Sequence, residues 1–486
     1  MSARRTALVL AAGLVGLAAA GCAHYPVNEP LTRWDPAAGY RFGALDAGEA
    51  NTDSLFVCLS FSGGGTRAAA FAYGVMRALR ETAIVWNGRP TTLLAEVDCI
   101  SSVSGGSFTA AYYALFRDEL FEKFEPDFLK RNITRELVAR ALNPASWFRL
   151  ASRHWSRIDL AAELYHETVF RRATFGALVA ARRRPFVILN ATNVQNGTRF
   201  EFTQSQFDFL GSALDSYPVA RAVAASSAFP FLLNPLTVKA YGRPPGFVLN
   251  DEYTTALRDF HLSPVRHHWA SPQVDYLDPG RVRYVHLLDG GLADNIGLRS
   301  LHRAYAATDG FLFERARAGR PPIQRLVIIA VNARTDPDDA SSLSARPPGI
   351  VDVALKTATV SMENFSFETV ETMRTLAREQ ETVARAYADC ARRLATECQP
   401  PVQLPPLQPA FTPCVIEVSF DAIADEAERR RFRNLPTTFD LPADTVDALV
   451  GIGAVLLRQS PYFASLVQAL GGSATGEAAR PDARCE

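Results

Sequence analysis

The chain has 486 residues, 48% of them hydrophobic and 21% charged, and its 51 basic and 51 acidic side chains cancel. That length fits one large domain or two to three ordinary ones, and the composition excludes a disordered, collagen-like or coiled-coil chain. Arginine is spread along the whole length rather than gathered into a basic stripe, so no nucleic-acid partner is expected. After the first thirty residues nothing approaches ~20 uninterrupted apolar residues, which excludes a polytopic membrane protein.

Residues 1–21 read as a secretory signal peptide: Arg4 and Arg5 precede an uncharged apolar run from Thr6 to Ala20, followed by small residues. Ala19-Ala20-Gly21-Cys22 resembles a bacterial lipobox, although Leu is preferred where Ala19 stands. The resemblance implies that Cys22 is lipidated and heads the mature chain. Ala23 after it implies the outer membrane, facing the periplasm. Two or more acyl chains meet the requirement for stable anchoring. The expected location is therefore the cell envelope, with residues 22–50 as lipidated N-terminus and tether.

An apolar strand, Leu55–Phe61, runs into Ser62-Gly63-Gly64-Gly65-Thr66-Arg67, and a helical pattern follows from Ala68 to Arg80. A second strand, Leu93–Ile100, leads to Ser101-Ser102-Val103-Ser104-Gly105-Gly106-Ser107, with a helix from Phe108 to Phe116. Strand, glycine turn, helix, twice over, is the syntax of an α/β fold with a parallel sheet. Residues 117–180 are helical in pattern and aromatic, and could either wall an acyl groove or pack a core. Further strands are expected at 186–191, 284–288, 326–331 and 415–420, and helices at 357–394, 423–433 and 443–457. The arginine runs 182–184 and 429–431 read as solvated faces or helix ends, with anionic lipid head groups as the other use. Cys58 and Cys99 read as buried thiols within strands, and Cys390, Cys398, Cys414 and Cys485 as the bridge formers, with pairing open. No cysteine and histidine spacing suggests a metal site, and no cofactor is expected.

Ser104 stands at a strand-to-helix junction with Gly105 and Gly106 behind it, the layout of a nucleophile elbow. The usual pattern is G-x-S-x-G, and Ser102 replaces its first glycine. The Gly63-Gly64-Gly65 turn lacks the Gly-Lys-Ser/Thr ending of a nucleotide P-loop and the spacing of a dinucleotide fingerprint. An oxyanion hole is the better use of its N–H groups. No histidine stands in a convincing triad position, whereas the strand ending at Leu288 delivers Asp289 directly beside Gly290 and Gly291.

Together these segments resemble the patatin-like phospholipases: Ser-Gly-Gly-Gly-Thr-Arg (62–67), Ser-Val-Ser-Gly-Gly-Ser (102–107), Ala-Ala-Ser-Ser-Ala-Phe-Pro (224–230) and Asp-Gly-Gly-Leu-Ala-Asp-Asn (289–295). The resemblance covers about residues 55–300. It implies a three-layer α/β fold with a central, mostly parallel sheet flanked by helices. A catalytic domain is then expected over 51–335, a C-terminal α+β extension packed on the core over 336–470, and a tail over 471–486. It further implies a Ser104–Asp289 dyad, an oxyanion hole from Gly63, Gly64 and Gly65, and supporting roles for Arg67, Gly105, Gly106, Gly290 and Gly291. The expected activity is cleavage of phospholipid or other lipid esters through an acyl-enzyme, without metal. Ser102 and Ala68 depart from the family pattern, so the competing expectation is a weak or inactive envelope lipoprotein that serves as a binding component.

Overall fold

A computed structural model of the chain describes residues 27–152, 154–230, 232–306, 310, 312, 315, 319–336, 345, 347–405, 407, 413–473 and 485. The signal segment, Cys22 and most of the tail lie outside the described residues.

The strands are β1 (Leu55–Phe61), β2 (Ala83–Trp86), β3 (Arg89–Thr92), β4 (Val97–Val103), β5 (Phe186–Asn193), β6 (Arg199–Glu201), β7 (Leu236–Lys239), β8 (Tyr284–Asp289), β9 (Arg325–Asn332) and β10 (Pro413–Ser419). Eight of them form one sheet in the order β10-β9-β1-β4-β5-β8-β7, with β6 also paired to β5. From β10 to β5 every pairing is parallel; β8, β7 and β6 join antiparallel. Every residue of β1, β4 and β5 is buried, as expected of parallel strands covered on both faces. The mostly parallel sheet read from the glycine-turn syntax is thus present.

The helices that matter for the site are α1 (Gly65–Glu81), α2 (Gly105–Phe116), α3 (Ile133–Leu142), α4 (Pro144–Leu150), α5 (Arg157–Thr168), α6 (Val219–Ser226), α7 (Ile350–Glu397) and α8 (Ala443–Gln459). The C-terminal residues complete the core rather than stand apart from it. β10 extends the sheet beside β9, and α8 lies so close on α1 that a Cβ at Gly74 would sit 2.1 Å from the Val450 carbonyl oxygen. A methyl group there would have to push the helices apart.

The cysteines and Arg184 are placed otherwise than expected. Cys58 and Cys99 are bonded to each other: parallel pairing sets them opposite in β1 and β4, with Cα atoms 4.6 Å apart, inside the range a disulfide needs. Cys414 is bonded to Cys485, while Cys390 and Cys398 are unbridged on or beside the long, largely exposed helix α7. Arg184, expected on a solvated face, is 2% exposed and bonds Asp53 and Asp98 at 2.6 and 2.7 Å beneath the sheet.

Candidate active site

Register brings the two motif residues together. Val103, the last residue of β4, pairs with Asn190 of β5, so Ser104 follows at the level of Ala191. On the far edge of β5, Ala191 pairs with Asp289 of β8. The two residues meet across the end of the sheet, lining one cavity, with the Ser104 hydroxyl close enough to the Asp289 carboxylate to favour its ionised form.

Ser104 adopts φ 49 and ψ −119, a conformation that costs a non-glycine residue about 1–3 kcal/mol and persists only where the surroundings enforce it. The enforcement is visible. Its N–H donates to Ser226 Oγ at 2.9 Å, and Ser226 Oγ lies 2.9 Å from Ser107 Oγ. Ser107 Oγ in turn donates to Ser102 Oγ at 3.2 Å. Ser102, the departure from the elbow pattern, therefore belongs to a buried hydroxyl chain that ends on the strained residue. Behind the elbow, a Cβ on Gly105 would lie 2.0 Å from the Gly65 carbonyl oxygen, so only glycine allows the two turns to touch.

Asp289 is 2% exposed. Its carboxylate accepts from Gly291 N–H at 2.9 Å, and its carbonyl oxygen accepts from Thr192 Oγ1 at 2.8 Å. Burial pushes its pKa up to about 7, against the smaller opposing pulls of the Gly291 N–H and the Ser104 hydroxyl. Gly290 N–H donates to Ser226 O, which ties the Asp289 turn to the same α6 end that holds Ser104.

The glycine turn is less uniform than its sequence. Gly63 N–H donates to Asn295 O at 2.9 Å, so Gly63 is not available as an oxyanion donor. The N–H groups of Gly64 and Gly65 make no hydrogen bond among the described residues and remain open. Gly63 instead joins the turn to the loop after Asp289. The Asn295 side-chain oxygen lies there too, buried and without a partner among the described residues.

Arg67, expected in a supporting role, braces the turn through three hydrogen bonds. It is 3% exposed and donates to Ala333 O at 3.1 Å, Leu435 O at 2.7 Å and Thr437 Oγ1 at 3.1 Å. Thr66 N–H donates to Thr438 O at 2.9 Å, and Thr438 backbone fills the space where a Gly65 side chain would go. Residues 435–438 thus hold the glycine turn from outside. Nothing in their sequence announced this, because the signal is a contact between segments some 370 residues apart.

A cavity of about 510 Å³ opens above Ser104 and Asp289. Its walls are mainly apolar: Leu137 and Val138 of α3, Leu160 of α5, Leu232 and Leu233, and Phe439. Phe439 stands against Phe108, Phe128 and Tyr165, with ring centroids 5.4, 6.2 and 6.5 Å apart. The stretch 117–180 is divided between cavity and core: α3 lines the cavity, and Phe124 and Phe128 pack the core. Among the described residues no histidine lines this cavity.

A strained serine beside a buried carboxylate, at the end of a mostly parallel sheet flanked by helices, marks an α/β protein with its candidate site at the strand ends. The patatin-like phospholipase profile matches residues 59–302, half of the chain, and the protein belongs to that family. Among solved structures, it is similar to human GIVD cytosolic phospholipase A2, at 17% identity and a TM-score of 0.32, over 60% of this chain and 51% of that one. VipD from Legionella pneumophila is similar at 11% identity and a TM-score of 0.28, over 92% of this chain and 71% of that one. The chain thus spans about half the length of the human enzyme. No curated protein matches its sequence.

Proposed function

We propose that the protein is a serine acyl hydrolase that cleaves lipid esters, with Ser104 as nucleophile and Asp289 as its general base. The observation that carries this reading is the juxtaposition of the strained Ser104 and the buried Asp289 on the floor of a mainly apolar cavity. Ser104 Oγ attacks the ester carbonyl carbon as its proton passes to the ionised Asp289. A base with a pKa near the working pH suits this transfer. The tetrahedral oxyanion forms toward Gly64 and Gly65 N–H, where losing one such donor costs about 3–4 kcal/mol in comparable hydrolases. Asp289 then returns the proton to the departing alcohol, and the acyl group stays on Ser104. Water, deprotonated by Asp289, attacks the acyl-enzyme, releases the fatty acid and restores the serine. The apolar walls suit an acyl chain, and the family makes a phospholipid the favoured substrate.

The departures at Ser102 and Ala68 do not support a binding-only protein, because Ser102 contributes to the elbow's hydroxyl chain and Ala68 is a small buried residue of α1. The lipobox-like Cys22 adds an address. The chain would be anchored at the envelope next to its substrate, and Cys22→Ser should remove both the lipid mass and membrane retention. For the activity, the test is fatty-acid release from vesicles of bacterial phospholipid. Wild-type protein should release it and Ser104→Ala should not. Release by Ser104→Ala at the wild-type rate would refute the assignment.

A further inference from the structure

Helices α3 and α4 break the usual rule for apolar side chains. Of all their residues only Ile133 is buried, yet Val138, Leu142, Trp147 and Phe148 are each more than half exposed. Four such large apolar side chains within eleven residues mark a candidate interaction surface. Trp147 donates its indole N–H to Ala141 O at 3.1 Å, so its polar atom is satisfied within the segment and the ring faces outward.

The patch is continuous with the catalytic cavity. Thr134, Leu137, Val138 and Ala141, one face of α3, line the cavity, and the exposed residues carry that wall over its rim. Leu232, also lining the cavity and more than half exposed, adds to the rim from the loop after α6. Charge points the same way. From residue 131 to 157 there are six arginines and one acidic residue, Glu136, in a chain whose total charge is zero. Arg131, Arg140 and Arg149 pair with Glu136, Glu167 and Glu163, and the region still keeps more positive than negative charge. An apolar face with an aromatic edge and basic surroundings is the composition that lies in the boundary between head groups and acyl chains.

We infer that α3 and α4 dock the protein on an anionic lipid bilayer, with Leu142, Trp147 and Phe148 entering the acyl boundary so that the cavity opens onto the membrane. This rests on the lipid-ester reading for its purpose, but its test does not need turnover. The full chain carrying Ser104→Ala is mixed with vesicles of phosphatidylethanolamine and phosphatidylglycerol, and tryptophan emission is read with lipids brominated along the acyl chain. Trp147 is the one exposed residue among the five tryptophans. Its emission should shift to the blue and be quenched by the brominated lipid, and Trp147→Phe should remove that signal. An acyl anchor at Cys22 would bring the chain to the vesicle without placing Trp147 in it. Leu142→Ser with Phe148→Ser should weaken the quenching about tenfold, while hydrolysis of a soluble short-chain ester by the same pair of changes in the Ser104 protein stays unchanged. Loss of that soluble hydrolysis in wild-type protein would refute the activity and leave the docking result standing. Trp147 that stays open to aqueous acrylamide on vesicles would overturn the docking. So would Trp147 already shielded without vesicles in a dimeric protein, which would assign the patch to a second copy of the chain.

Discussion

At the floor of the cavity Ser104 and Asp289 are at least nine-tenths buried, and each is held from another element, Ser104 by Ser226 of α6 and Asp289 by Thr192 of β5. Along the α3–α4 wall the side chains are mostly exposed, and Arg140 and Arg149 are tied to α5 only by solvent-accessible ion pairs. The floor must keep a strained backbone and a desolvated carboxylate in one geometry, which requires dense, directional contacts. The wall has only to be apolar and adaptable. Substitutions should therefore act differently in the two regions: on the floor they damage chemistry or folding, and on the wall they leave both intact.

The largest effect is expected at Asp289. Asp289→Asn keeps the shape but cannot accept the proton, and kcat/KM for a soluble ester should fall about 10⁴-fold. In the wild type the same group should set the acidic limb. With its pKa pushed up to about 7, kcat/KM should rise through pH 7 and stand about 100-fold lower at pH 5. A carboxylate base in water would have placed that limb near ~4. Stability carries the opposite sign. A folded pKa above the unfolded value of 3.8 gives a contribution that is full below that value and is lost as pH rises through about 7. The Asn variant should therefore gain on the wild type in thermal stability between pH 5 and pH 8. A limb near 4, with no such gain, would mean that the carboxyl is not desolvated.

Next comes Arg67, which sharpens the contrast because its effect reaches the site through the C-terminal segment. Arg67→Ala leaves Leu435 O and Ala333 O without their donor, and a loss of about 3 kcal/mol in unfolding free energy is expected. Turnover should fall with it, since Thr438 shapes the glycine turn. Urea unfolding together with soluble-ester kinetics reads both. Unchanged stability would show that residues 435–438 do not depend on that guanidinium. The smallest effect belongs to the wall. Leu142→Ser should change stability by no more than about 0.5 kcal/mol and leave soluble-ester turnover as it was. A loss on the scale of Arg67→Ala would erase the distinction between the two regions.

The same contrast explains what could be read from the sequence. Ser104, the glycine turns and Asp289 were legible because each is a local pattern of strand, small residues and helix or turn. The strands bearing them were placed to within a few residues for the same reason. What stayed hidden depends on register or on distant contact. The Cys58–Cys99 bond needs the parallel pairing of β1 and β4, the occupied N–H of Gly63 needs Asn295, and the burial of Arg184 needs Asp53 and Asp98 brought together. The small β2–β3 hairpin did carry a local signal. Asn87-Gly88, both at positive φ, is the favoured two-residue turn, but four-residue arms containing Pro90 offer little alternation to support it.

Lipid-ester cleavage by this site requires that Ser104 be an activated nucleophile with Asp289 as its base. The most direct measurement is the intact mass of the protein after exposure to an alkyl fluorophosphonate, because only an activated serine is phosphonylated. The wild type should gain one phosphonyl group, mapped to Ser104. Ser104→Ala should gain none, and Asp289→Asn should react at least about 100-fold more slowly. No adduct on the wild type, or equal labelling of the Asp289→Asn protein, would contradict the dyad.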